Sequence, residues 1–145
     1  MHVDVTTEVV IARPLAEVAA FASDQDNAPS WYVNIKSVAW KTPPPLRVGS
    51  RFAFVAHFLG RRLAYTYEVG DLVEHVRFVM RTAEGPFPME TTYEWEPAPT
   101  GTRMRLRNRG EPSGFSRLLA PFMAAAMRRA NRSDLARLKA LLERR

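Results

Sequence analysis

Residues 114–143 read GFSRLLAPFMAAAMRRANRSDLARLKALLE, and this stretch decides the fold. Its apolar spacing predicts a helix of about 30 residues, roughly 45 Å long. The first half is apolar almost all round. The second half narrows to a leucine stripe formed by Leu135, Leu138, Leu141 and Leu142. A helix with one apolar stripe packs that stripe against a single surface. A helix that is apolar on all sides must be covered by other elements on several sides, or must line an internal space. We therefore expect the second half to clamp onto a sheet and the first half to cover a less completely filled interior.

A proline interrupts the apolar half of this helix. On a helical wheel, Met123 and Met127 share one side. Phe115 and Phe122 point elsewhere, so one straight helix cannot bury both pairs on the same sheet. Pro121 removes the hydrogen bond to the carbonyl four residues back, which predicts a break or kink at that position. We expect the segment from Phe115 to Phe122 to cap one end of the sheet.

The residues before this helix read mostly as β-strands. Alternating apolar and polar residues predict strands at 3–11, 33–41, 50–59, 62–70, 76–83, 88–96 and 102–109. A short helix is expected between Pro14 and Asp24, followed by a turn-rich segment with room for one more helical turn. Successive strands joined by short turns pair antiparallel. The order predicts one α+β domain over residues 1–145, with a strand, two short helices, six meandering strands and a long helix.

The composition is that of an ordinary soluble protein, with 46% apolar and 25% charged residues. The chain has no cysteine, which excludes disulfides, thiol chemistry and cysteine-ligated metals. The first twenty residues have no secretion signal, and the longest apolar run is about half of what a bilayer span needs. We expect a cytoplasmic protein without a transmembrane segment.

The net charge of +6 raises the possibility of a nucleic-acid partner. Its distribution favours solvated faces instead, because one group of arginines alternates along a predicted strand and another lies on the outer side of the last helix. The strand carries Arg103, Arg105, Arg107 and Arg109. Base-stacking aromatic residues are not interleaved with them, so the pattern does not favour nucleic acid as a partner.

Several short motifs spread over the whole chain resemble one protein family. They are IARPLAEV at 11–18, Asp24 followed by Trp31, VGS at 48–50, GTR at 101–103, and DLARLK at 134–139 before Glu143. The chain is similar to the polyketide cyclase/dehydrase-like group of the START/Bet v 1 (SRPBCC, helix-grip) superfamily. This resemblance implies a curved seven-stranded antiparallel sheet wrapped around the long C-terminal helix, with an apolar cavity between them. Members bind lipids, isoprenoids, polyketides, hormones or quinones, and a minority catalyse cyclisation or dehydration.

Inward-facing aromatic and methionine side chains are the predicted ligand-binding residues. They are Phe54, Tyr65, Tyr67, Met80, Met89, Tyr93, Trp95, Phe122, Met123 and Met127. Tyrosine hydroxyls would serve as polar anchors, and methionines can repack around ligands of different shape. From the sequence alone, a filled core with tyrosines hydrogen-bonded at its edge explains these residues better. The cavity that the resemblance implies makes us favour a pocket.

Two further side chains, Trp31 and Asp134, have two interpretations each. Trp31 is also a predicted ligand contact, in the segment expected to cover the cavity mouth, where it either packs the loop down or gates the ligand. Asn131 and Asp134 fall on the buried side of the last helix. A buried carboxylate needs a partner. For Asp134 we favour a local network with an arginine or a backbone group near the sheet edge over a polar contact in the pocket.

The sequence provides no catalytic motif and no metal-ligand spacing. No His-x-x-x-His pair, Ser-His-Asp arrangement or glycine-rich phosphate loop is present, so we predict no catalytic residue, no metal and no cofactor. The predicted function is binding of a small hydrophobic or amphipathic molecule, such as a lipid, isoprenoid, quinone or polyketide-like compound.

Two other functions remain open at this point. A cofactor-free polyketide cyclase, aromatase or dehydratase would require two ionisable side chains side by side in the cavity. A protein- or RNA-associated module would use the basic surface. The oligomeric state is open, with a weak homodimer as one alternative.

Overall fold

The computed structural model describes residues 3–85, 88–111 and 120–145. Within these residues, seven strands and three α-helices follow the predicted order. They are β1 (Val3–Ile11), α1 (Leu15–Ser23), α2 (Ala28–Trp31), β2 (Ile35–Trp40), β3 (Arg51–Phe58), β4 (Arg61–Val73), β5 (Arg77–Glu84), β6 (Met89–Ala98), β7 (Gly101–Gly110) and α3 (Ala120–Glu143). A single 3-10 turn, Gln25–Asn27, joins α1 to α2. The predicted α+β architecture is confirmed. None of the described helices is long and apolar enough to cross a membrane.

All neighbouring strands are antiparallel, in the order β1-β7-β6-β5-β4-β3-β2. The strand register shifts within β2, between Ile35 and Ser37, and twice within β4, at Thr66/Tyr67 and Val69/Asp71. Such bulges bend a strand and increase its twist. They contribute to the curvature that lets the sheet wrap around α3.

The helix α3 belongs to two separate apolar clusters. Leu135, Leu138 and Leu142 are fully buried in the main core, which confirms the predicted leucine stripe. Met123 and Met127 instead pack with two valines of β1 in a second, smaller cluster. Residues 114–119 of the predicted helix lie outside the described residues. Pro121 lies in the first turn of the described α3, and the segment on the other side of the predicted kink lies outside the described residues.

The end of α3 is tied to the end of β1. The Lys139 ammonium donates to the Val10 carbonyl at 3.0 Å and contacts the Glu143 carboxylate. That carboxylate also accepts the Ala12 backbone N–H at 2.8 Å. Thr102, in β7, donates to the Arg13 carbonyl at 2.8 Å. Three of the motifs that carry the family resemblance therefore meet at one junction and hold the fold together.

The outer face of β7 is a ladder of ion pairs. Its arginines pair with carboxylates as follows: Arg103 with Glu96 (3.0 Å), Arg105 with Glu8 (3.5 Å), Arg107 with Asp4 (2.6 Å), and Arg109 with Glu90. Alternation along the strand places these side chains on the solvent face, as predicted. Because each arginine has an acidic partner, the positive charge of this strand is balanced locally.

Candidate ligand-binding cavity

A cavity of about 140 Å³ lies between the concave face of the sheet and the first turns of α3. The cavity lies between the main core and the methionine cluster. Met123 and Met127 of α3 form one of its walls. The sheet forms the opposite wall, with Phe54, Met80 and Tyr93. Engineered apolar cavities of about 150 Å³ bind benzene. A space of this size therefore accommodates a six-membered ring.

Eight of the eleven predicted ligand-binding residues line this cavity. They are Phe54, Tyr65, Tyr67, Met80, Met89, Tyr93, Met123 and Met127. The alternation along β3, β4, β5 and β6 brings the sheet residues of this set to one face, and the spacing of four residues brings the methionines of α3 together. The structure thus places these side chains around one space.

The other three predicted residues lie elsewhere. Trp31 is fully buried, and its ring packs against Tyr32 at 4.2 Å between ring centroids, so it supports the cavity wall from behind. Trp95 shares the inward face of β6 with Tyr93 but lines a different cleft, under α1. Phe122 is 72% exposed, because the side of α3 that carries Met123 turns toward the sheet and leaves Phe122 in solvent.

The sequence analysis missed several polar residues of the wall. Thr91 lies on the inward face of β6 and donates to the side-chain carbonyl of Asn108 at 2.6 Å. The hydroxyls of Tyr32 and Tyr93 form a hydrogen bond of 2.5 Å. The period of two along β6 and β7 could have identified Thr91 and Asn108. No comparable pattern marks Tyr32, which follows a single turn of helix.

Asp134 is the one carboxyl group among the described residues of the wall, and it is 3% exposed. Burial raises its pKa from 3.8 to about 7, against the opposing effects of a backbone hydrogen bond and of Arg137. That bond is donated by the Val33 N–H to Oδ1 at 2.7 Å. The sequence left two interpretations of Asp134, a local network and a polar contact in the pocket. The structure shows part of each, because the carboxyl accepts a backbone N–H and also lines the cavity.

Asn131 lies one turn before Asp134 on α3 and is 4% exposed. Its side-chain Nδ2 has no hydrogen-bond partner among the described residues. Buried polar groups are paired in the great majority of cases, and an unpaired donor costs roughly 1–3 kcal/mol. Asn131 therefore lines a mostly apolar space and carries a donor that no described residue satisfies.

The cavity tyrosines remain protonated at neutral pH. Burial raises the pKa of Tyr32, Tyr67 and Tyr93 well above 10, and that of Tyr65 to about 12. No lysine, arginine or histidine is among the described residues that line the cavity. The cavity can therefore offer neutral O–H and N–H donors and one carboxyl group that titrates close to pH 7.

A curved antiparallel sheet that grips a C-terminal helix, with an apolar cavity between them, defines a helix-grip domain of the START/Bet v 1 type. The sequence model of the family described as "polyketide cyclase / dehydrase and lipid transport" matches residues 2–143. The chain belongs to this family. No functionally curated protein matches the sequence significantly.

Solved structures with the same fold cover nearly the whole chain. TTHA0849 from Thermus thermophilus has a TM-score of 0.80 and 23% identity, and the alignment covers 94% of each chain. A START superfamily protein from Mycobacterium smegmatis has a TM-score of 0.84 and 16% identity over 99% of both chains. The Zhui aromatase/cyclase from Streptomyces sp. R1128 has a TM-score of 0.82 and 15% identity, covering 100% of this chain and 96% of its own. These similarities establish the fold.

Proposed function

We propose that the cavity binds a small, neutral and largely apolar molecule that carries a carbonyl or hydroxyl oxygen. The unpartnered Asn131 Nδ2 in the wall of the cavity is the observation on which this proposal depends. An acceptor oxygen on the ligand would satisfy this donor. The neighbouring Asp134 carboxyl and the tyrosine hydroxyls would supply further contacts to the same oxygen-bearing end.

The volume of the cavity limits the bound part of the ligand. A space of about 140 Å³ holds a six-membered ring, either alone or fused to a five-membered ring. Burying about 200 Å² of apolar ligand surface stabilises the complex by roughly 5 kcal/mol before the costs of association are subtracted. We therefore expect ligands of this size to bind in the micromolar to millimolar range. Quinones, cyclic ketones and ring portions of polyketide-like or isoprenoid compounds fit this description.

A second candidate function is acid–base catalysis on such a ligand, as in a cyclase or dehydratase. The observation that favours it is the Asp134 carboxyl, whose pKa of about 7 suits proton transfer near neutrality. Its charge also contributes to the raised pKa of both Tyr32 and Tyr93. Two kinds of proton-bearing group therefore border the same space. The ion-paired arginines of β7 give no comparable support to a module that binds RNA or another polyanion.

Indanone and indane test the binding proposal, because they share a ring system and differ by one carbonyl group. Calorimetric titration should show that wild-type protein binds indanone about three- to ten-fold more tightly than indane, since one net hydrogen bond is worth about 1 kcal/mol. The Asn131→Leu variant removes the donor while keeping an apolar side chain of similar size. It should bind both compounds with similar affinity.

Failure of wild-type protein to bind either compound would contradict the proposal. So would an undiminished preference for indanone in Asn131→Leu. The Arg132→Leu variant is a matched control, because this exposed residue follows Asn131 on α3 and does not line the cavity. It should retain the wild-type preference.

A further inference from the structure

A second cleft of about 590 Å³ adjoins the cavity under α3 at Gln25, and neither Met123 nor Met127 lines it. It is bordered by α1, the 3-10 turn and the turn that joins β4 to β5. Apolar groups form much of its wall, including Ala19, Leu46 and Leu72 and the indole rings of Trp40 and Trp95. The cleft is much larger than the cavity under α3.

The charge of this cleft is opposite to that of the chain. Asp24, Asp26 and Glu74 line it, and His75 adjoins Glu74 at 3.6 Å. No lysine or arginine lines it within residues 3–85, 88–111 and 120–145, although the chain carries a net charge of +6. Carboxylates gathered around apolar walls favour a ligand that is both cationic and apolar.

The acidic side chains are held in position beside an indole. The Trp40 Nε1–H donates to Oδ1 of Asp26 at 3.0 Å. The backbone N–H of Asp26 in turn donates to Oδ1 of Asp24 at 3.1 Å. The two carboxylates and the N–H edge of Trp40 therefore form one preorganised group, which suits a cation because hydrogen bonds between a cation and a carboxylate are strong.

Two deeply buried polar atoms in the wall of this cleft have no partner. Trp95 is 5% exposed and Gln25 is 1% exposed. The Trp95 Nε1–H and the Gln25 Oε1 have no hydrogen-bond partner in the described part of the chain. Unpaired buried polar groups are rare and are commonly explained by a bound molecule or water. Gln25 also lines the cavity under α3, whereas Trp95 lines this cleft alone, so the unpaired Trp95 N–H is the sign of a ligand here that is independent of the acidic residues.

We propose that this cleft is a binding site for a small organic amine in its protonated form, with an aromatic or alicyclic body. The ammonium group would lie among the carboxylates of Asp24, Asp26 and Glu74. The ring would pack on Leu72 and Trp95. The cleft shares Gln25 with the cavity under α3, but its other lining residues are different, and its ligand differs in charge from the neutral molecule proposed there.

Phenethylammonium and phenylethanol test the site, because they have nearly the same shape and differ in charge. Titration of each into ¹⁵N-labelled wild-type protein can be followed through the indole N–H resonances of the three tryptophans. Phenethylammonium should shift the resonances of Trp40 and Trp95. Trp31 lines neither the cleft nor the cavity, so its resonance should stay in place. Phenylethanol should produce smaller shifts at the same concentration.

The double variant Asp26→Asn, Glu74→Gln should bind phenethylammonium about five-fold more weakly, because each exposed charge pair is worth up to about 1 kcal/mol. The Glu111→Gln variant removes an exposed carboxylate outside the cleft and should bind as wild type does. No shift of Trp40 or Trp95 up to about 10 mM amine would overturn the proposal. Equal shifts by phenylethanol in wild-type protein would overturn it as well, whether or not the variants fold.

Discussion

Replacing Asp134 with asparagine should make the protein more stable at alkaline pH. Asparagine keeps an oxygen that can accept the Val33 N–H, and it removes the ionisable group. In the folded protein, burial raises the pKa of Asp134 from 3.8 to about 7. The folded state therefore holds a proton that the unfolded chain has already released between about pH 4 and 7, and stability falls as the pH rises through this window.

The magnitude follows from the two pKa values. Each pH unit within the window costs about 1.4 kcal/mol, so the full penalty above pH 7 is on the order of 4 kcal/mol. Between pH 5 and pH 8 the wild-type protein should lose about 2–3 kcal/mol through this group alone. The Asp134→Asn variant should not show this loss of stability. Effects of pH on the rest of the chain are common to both proteins and cancel in the comparison.

Urea unfolding at pH 5 and pH 8, followed by circular dichroism, measures this difference. Asp71→Asn is a control, because it removes a half-exposed carboxylate that is ion-paired with Arg77. Its stability should change with pH as that of the wild type does. If Asp134→Asn and wild type changed in parallel between the two pH values, Asp134 would not be a buried carboxyl that titrates near neutrality.

Three further predictions concern the cavity wall and the core. A double-mutant cycle of Tyr32→Phe and Tyr93→Phe, measured by urea unfolding, should give a coupling free energy of about 1 kcal/mol from the hydrogen bond between the two hydroxyls. If the two substitutions changed the free energy of unfolding additively, the hydroxyls would not be in contact. Gly101→Ala should lower the melting temperature far more than Gly60→Ala. Both glycines have positive φ, but a Cβ at 101 would lie 2.1 Å from a carbonyl oxygen of β1, whereas one at 60 meets nothing within 4 Å. Equal decreases in melting temperature for the two variants would contradict the close approach of Gly101 to β1. Leu138→Ala should reduce the free energy of unfolding by about 3 kcal/mol, because the side chain is fully buried in the main core, and a loss under about 1 kcal/mol would contradict that position.

The fold could be predicted because its strands alternate cleanly and its last helix carries a leucine stripe. All seven predicted strands are present, with ends that differ by up to three residues. The largest difference is in β4, which spans Arg61–Val73 where the alternation predicted 62–70. A bulge between Val69 and Asp71 adds one residue to β4 and breaks the period of two, so the pattern stops before the strand does.

The lining of the cavity could be predicted only in part, because periodicity gives the face of a residue and not its place along the element. Tyr93 and Trp95 share one face of β6, yet α1 covers the Trp95 end and leaves Tyr93 beside the cavity. The exposure of Phe122 depends on the rotation of α3 about its axis. Tyr32 reaches the cavity wall because of the path that the chain takes after α2, and no periodic pattern in the sequence predicts that path.

The affinity of indanone for the Ala130→Leu variant tests the proposed ligand cavity most directly. Ala130 lines the cavity, and a leucine there would occupy much of its 140 Å³. Ala140→Leu adds the same atoms at an exposed position of the same helix. Calorimetry should show that Ala140→Leu binds indanone as wild type does and that Ala130→Leu, though folded, has lost at least ten-fold in affinity. Equal affinity in a folded Ala130→Leu would show that the ligand binds elsewhere.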